Sequence, residues 1–149
     1  MTDELHRVVY LSSATQGFPA EALEELLVGA REANARRGVT GMLIYHDGNF
    51  FQVLEGRKAD VLETLDRIRA DRRHAGMIML ENRPCRRSTF PDWSMGYRVL
   101  EELSQPQREG FFELARAANG DGTLELVRNT PIAVYLDSFL NSFREFEQA

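Results

Sequence analysis

Asp47-Gly48 lies between two β-rich segments, Val39 to His46 (VTGMLIYH) and Asn49 to Glu55 (NFFQVLE). An Asp-Gly pair takes the left-handed angles of a primed two-residue turn, whose twist matches that of paired strands. It therefore commits its flanks to an antiparallel hairpin. The rest of the chain has to be built around that unit. Upstream, His6 to Ser12 (HRVVYLS) reads as a first strand, with Val8, Tyr10 and Ser12 on one face and Val9 and Leu11 on the other. Pro19 occupies a place favoured at a helix start, and Leu23, Leu26, Leu27 and Ala30 follow at helical spacing.

Downstream, Gly56 closes the third strand and Val61, Leu65 and Ile68 trace a second amphipathic helix ending near Arg73. Ala75 to Leu80 (AGMIML) reads as a fourth strand, and Trp93, Met95 and Tyr97 alternate on one face of a fifth. The order β-α-β-β-α-β plus one strand predicts an α+β, ferredoxin-like sandwich with two helices on one face of a largely antiparallel sheet. Residues 1–100 form this domain and 101–149 a helical extension. Pro106 opens one helix there, with Phe111, Phe112, Leu114 and Ala115. Pro131 opens another, with Ile132, Tyr135, Leu136, Phe139, Leu140, Phe143 and Phe146 as a broad apolar stripe. That stripe is expected against the sheet face opposite the first two helices, a partner subunit being the competing cover.

Composition narrows the function classes. Apolar residues make up 43% and charged residues 28%, a globular balance rather than a disordered one. The single Cys85 forms no internal bridge, no apolar run reaches the ~20 residues of a membrane span, and MTDELHR lacks a signal-peptide core. A cytoplasmic protein without a membrane role is expected. The net charge of −5 has the wrong sign for a dedicated nucleic-acid binder. All basic residues but Lys58 are arginine. Arg67, Arg69, Arg72 and Arg73 with His74, then Arg83, Arg86 and Arg87, suggest either a solvated surface or a small phosphorylated ligand.

The chain carries no glycine-rich phosphate loop, no Cys or His pair at metal spacing and no nucleophile elbow. What remains is a set of polar side chains at inward positions. Tyr10 and Gln52 have apolar neighbours two residues away on strands that lie side by side in this topology, and Asn34 extends the buried stripe of the first helix. A phenol and two amides in apolar surroundings describe either a satisfied core network or a ligand pocket.

The segment Asn34 to Gly56 (NARRGVTGMLIYHDGNFFQVLEG) closely resembles the BLUF family of flavin-binding blue-light sensors. So do Val9-Tyr10-Leu11-Ser12, Asp71-Arg72-Arg73-His74 and Asp92-Trp93-Ser94-Met95, and the likeness spans roughly residues 5–100. It implies FAD between the two helices, with FMN or riboflavin meeting the same ring and ribityl requirement. It implies that Gln52 bonds the flavin edge and Tyr10, that Asn34 holds the polar edge, and that Leu26 and Ile68 pack on the ring. Asp71, Arg73 and His74 match positions near the ribityl chain. Trp93 and Met95 match a strand-five output pair, of which alternation does not say which faces the flavin. Ala33 is small where some members are polar.

The resemblance implies photochemistry rather than enzyme catalysis: excited flavin draws an electron and proton from Tyr10, and Gln52 resets its hydrogen bonds. With no effector motif after residue 100, the output is expected to be light-dependent binding of a downstream protein or a homo-oligomer. Two rivals share the topology. An acylphosphatase-like hydrolase needs an arginine in the loop after strand one, and Ser12 to Gly17 has none. An RNA-binding module would use Phe50 and Phe51 on an open sheet face, which the net charge opposes.

Overall fold

The computed structural model describes residues 4–15, 19–86, 89–90, 94–119, 126–127 and 129–147. The chain forms two units, Met1–Val99 and Leu100–Ala149.

The first unit runs β1 (Leu5–Ala14), α1 (Ala20–Arg37), β2 (Thr40–His46), β3 (Asn49–Arg57), α2 (Lys58–Ala70), β4 (His74–Cys85) and β5 (Gly96–Val99). The strands form one sheet in the order β4-β1-β3-β2-β5, antiparallel except for the β2–β5 pair. The hairpin turn is as expected: Asp47 and Gly48 have φ of 48° and 79°, and His46 pairs with Asn49. Gly38, with φ 70°, stops α1. Its N–H donates to Ala35 O, and the Val39 N–H donates to Asn34 O at 2.9 Å. This double closure fixes the last turn of α1, and Asn34 within it, against the start of β2.

Several boundaries differ from the sequence reading: β1 runs one residue earlier and two later than His6 to Ser12, and β3 passes through Gly56 to Arg57 rather than closing at Gly56. The second helix stops at Ala70 rather than near Arg73, because the Asp71 carboxylate accepts the Arg73 N–H at 2.9 Å and closes a local turn. β4 extends five residues past Leu80 through Glu81-Asn82-Arg83-Pro84 to Cys85; as an edge strand it tolerates a proline and polar residues. Its pairing with β1 is interrupted by two register shifts, which alternation cannot foresee. Met95 lies just before β5 rather than within it, and Trp93 lies outside the described residues.

Between the sheet and its helices sits a core that includes Val8, Tyr10, Leu23, Leu27, Leu43, Leu54, Val61, Leu65 and Met95. It holds the site described below.

The second unit comprises a 3-10 turn (Leu100–Glu102), α3 (Gln105–Asn119), a two-strand ladder of β6 (Leu126–Val127) and β7 (Thr130–Pro131), and α4 (Ile132–Glu147). A capping box starts α3: Ser104 Oγ accepts the Gln107 N–H and Gln107 Oε1 accepts the Ser104 N–H. Leu136, Phe139, Leu140 and Phe143 of the α4 stripe are buried. On α3 the buried face is Phe111, Leu114 and Ala117, whereas Phe112 points away and is 45% exposed. Adjacent phenylalanines on a helix lie about 100° apart, so both cannot face one core.

Candidate functional site

β1 and β3 set Tyr10 and Gln52 directly opposite each other, and Leu43 of β2 continues the row. The Tyr10 phenol donates to Gln52 Oε1. With its oxygen so engaged, the amide presents Nε2 to the sulfur of Met95 at 3.7 Å. A chain of three side chains thus runs along the inner sheet face. Burial raises the pKa of Tyr10 well above the ordinary phenol range, and the Asp71 carboxylate adds to the effect.

Asn34 is 2% exposed, and its Nδ2 donates to Ser94 O at 2.7 Å. One turn earlier on α1, Arg31 Nε donates to Met95 O at 2.9 Å. Helix α1 therefore grips the Ser94-Met95 backbone while Gln52 touches the Met95 side chain.

At the end of α2, Asp71 accepts hydrogen bonds from the Arg73 guanidinium at 2.6 to 3.0 Å, and those bonds hold its carboxyl below the ordinary range. Nε2 of His74 donates to Ile68 O at 2.6 Å, leaving Nδ1 buried and without a hydrogen-bond partner.

These groups surround a cavity of about 230 Å3 between α1, α2 and the sheet. Leu26, Leu27, Ala30 and Ala33 form one wall and Ile68 with Thr64 the other, while Tyr10, Gln52, Asn34 and Met95 line it between them. Asp71, Arg73 and His74 line it too. All the candidates from the sequence except Trp93 therefore converge on one space. Ser12, which the sequence reading placed on the Tyr10 face without assigning it a role, also lines the cavity; its Oγ is buried and unpartnered. The arginine cluster divides. Arg67 and Arg73 line the cavity together with Arg37, Arg83 pairs with Glu81, and Arg87 lies outside the described residues.

The space tests well against a planar heteroaromatic ring. Its walls are aliphatic, and Ser12 Oγ and His74 Nδ1 lack hydrogen-bond partners that a ring edge bearing nitrogen and oxygen supplies. Among the described residues no group of three metal-ligating side chains occurs, and no helix is long and apolar enough to cross a membrane.

Residues 5–96 match the family described as BLUF, sensors of blue-light using FAD. The chain belongs to the BLUF family. Photoactivated adenylate cyclase subunit alpha of Euglena gracilis is 37% identical over 118 residues, covering 76% of this chain, and the beta subunit is 40% identical over 104. The chain spans only 12% of the length of these curated relatives. Among solved structures, the dark state of the BLUF protein BlrB superposes with a TM-score of 0.73 at 26% identity, over 96% of this chain and 99% of that one. The photo-activated state of BlsA gives 0.72 at 26% identity, over 94% of each chain. The ferredoxin-like α+β fold and the blue-light sensor function follow, and a flavin is the chromophore. The BLUF domain is a photosensor and not an enzyme. Neither the hydrolase nor the RNA-binding alternative has support.

Proposed function

We propose that Tyr10 and Gln52 form the photoactive pair of this BLUF domain, that the flavin is FAD, and that the response leaves through Met95. The observation that carries this reading is the continuous contact from the Tyr10 phenol through the Gln52 amide to the Met95 sulfur on the cavity wall. Asn34, Asp71, Arg73 and His74 would hold the polar edge and ribityl chain, and Leu26 and Ile68 would sandwich the ring. Arg37, Arg67 and Arg73 at the same cavity favour a phosphorylated flavin over riboflavin.

A bound flavin excited by blue light supplies a strong one-electron oxidant next to the phenol. Tyr10 Oη, once its electron is withdrawn, would become strongly acidic and pass its proton along the existing hydrogen bond to Gln52 Oε1; when the electron returns, the phenol would take the proton back, so that both side chains end neutral. An amide both donates and accepts, so Gln52 can settle with its ends exchanged, Nε2 toward Tyr10 Oη and Oε1 toward the ring edge. The exchange gives up the phenol O–H to Oε1 bond, replaced by an N–H to phenol-oxygen bond, together with the weak N–H to thioether contact. Met95 then loses its amide neighbour, and β5, which begins at the next residue, receives the change. Trp93 belongs to the same output segment in this reading. Residues 1–100 would be the sensor and 101–149 a helical extension through which a cytoplasmic partner protein or a second copy is engaged.

The test is chromatography of the chromophore released by denaturation, together with absorbance before and after illumination. One FAD per chain and a reversible displacement of the visible band support the reading. A chain that stays colourless after incubation with FAD contradicts it.

A further inference from the structure

On the sheet face opposite the cavity, β1 and β3 place Arg7 directly across from Glu55. Both are almost fully buried, with side chains 6% and 0% exposed, and their charged ends stand 3.8 Å apart. Arg7 also donates to Glu81 Oε1 from Nε at 3.1 Å and from Nη2 at 2.8 Å, and Arg83 Nε reaches the same oxygen at 2.7 Å. Two acids and one arginine buried in a small domain, with Arg83 reaching in from the surface, are costly to desolvate, and hydrophobic residues of similar volume often serve stability as well. The cluster therefore invites an explanation other than stability.

Its contacts supply one. Oε1 of Glu55 accepts the backbone N–H of Thr89 at 2.7 Å and that of Phe90 at 3.3 Å, and Arg7 Nη1 donates to Thr89 Oγ1 at 3.4 Å. Thr89 and Phe90 lie in the connection from β4 to β5, and both are buried. The far end of that connection, Ser94-Met95, is held by Asn34, Arg31 and Gln52. Gln52 and Glu55 are three residues apart on β3 and project to opposite faces. One strand thus grips the two ends of one segment, once from each side of the sheet.

We propose that Glu55, braced by Arg7, is a positioning residue: its carboxylate anchors Thr89-Phe90 and so sets where Met95 stands against Gln52. This rests on the proposed Tyr10–Gln52–Met95 relay. The carboxylate does its work as a double acceptor for two consecutive amide protons, a role that a neutral amide oxygen shares and an aliphatic group does not.

The experiment uses the FAD-loaded protein with 13C-labelled methionine methyl groups, the Met95 signal being assigned from its loss in Met95→Leu. Two paired variants remove the Arg7 and Glu55 charges together and leave Glu81 paired with Arg83, the same in both. Arg7→Met/Glu55→Gln keeps an acceptor for the two amides, and Arg7→Met/Glu55→Leu keeps only volume. We expect the Gln variant to retain the dark-state Met95 methyl position and the dark-recovery rate. The Leu variant should move the methyl signal and change recovery by about tenfold, as loss of buried hydrogen bonds implies. A Met95 signal unmoved in the Leu variant, or moved equally in both, overturns the proposal. Should the Leu variant fail to fold, hydrogen exchange in the unaltered protein decides: Thr89 and Phe90 amides protected as strongly as those of β3 support the anchor, and fast exchange refutes it. The dark-state signal reports on the anchor alone, whereas a missing light response in the unaltered protein would strike only the relay beneath it.

Discussion

Tyr10 and Gln52 are a cross-strand pair in register, and the hydrogen bond between them points from the phenol to the amide oxygen. That direction fixes the rest of the site. A phenol that donates keeps its proton, and an amide whose oxygen is taken has only N–H to offer Met95. Replacing either group strands the other. Tyr10→Phe leaves a buried carbonyl without its donor and should lower stability by about 1–3 kcal/mol, measurable by urea unfolding.

Alkaline pH offers a second test. The folded chain holds the Tyr10 proton far above the ordinary phenol value of about 10, because burial, assisted by Asp71, disfavours the phenolate. The unfolded chain releases it near that value. The folded state then binds more protons than the unfolded one, so stability is undiminished below pH ~10 and falls as pH rises beyond it. Tyr10→Phe should flatten that part of the curve; an equally steep decline in the variant would assign it to other groups.

Gly41 of β2 lies so close to β3 that a Cβ there would stand 1.9 Å from the carbonyl oxygen of Val53 and 3.0 Å from its carbon. Neither atom belongs to a side chain that can swing aside. Gly41→Ala must separate β2 from β3 or break their ladder, and about 3 kcal/mol or more of lost stability follows from such overpacking. Because Gln52 pairs with Leu43 two residues along, flavin affinity should fall with it in a fluorescence titration.

On α3, Gly110 poses a contest of sign. Alanine is worth about 1 kcal/mol over glycine in a helix interior, which favours Gly110→Ala. Against that, the added Cβ would meet Phe139 Cδ1 at 2.7 Å, and this ring is buried and packed edge-on against Phe143. The clash should win, giving a net loss of about 1–2 kcal/mol. A higher melting temperature for the alanine variant would reverse that judgement.

Cys85 tests the burial assigned to the end of β4. Desolvation, with Glu55 nearby, pushes its thiol up to about 11, so very little thiolate exists at pH 8. A thiol reagent should label the native chain far more slowly than the denatured one, and rapid native labelling would contradict the placement.

Much of this was legible in the sequence because it rests on short-range patterns. The Asp47-Gly48 turn forces its hairpin, and alternation sorts Val8, Tyr10 and Ser12 from Val9 and Leu11. Helical spacing carries Leu23 and Leu27 on to Asn34. What stayed hidden depends on contacts distant in sequence. The polar end of β4 is a strand only because β1 pairs with it, and Phe111 rather than Phe112 turns inward only because a core exists on that side. Arg7, Glu55 and Glu81 resemble surface charges one at a time; a charged residue in the middle of an apolar strand such as Val53-Leu54-Glu55 is the available clue. Nothing local distinguishes Ser12 Oγ from a satisfied hydroxyl.

The central claim is most directly tested by light-minus-dark absorption of the FAD-loaded chain beside Tyr10→Phe and Gln52→Leu, each checked for bound flavin. A reversible band shift is expected in the unaltered protein and none in either variant. A full, reversible shift in Gln52→Leu would contradict the claim.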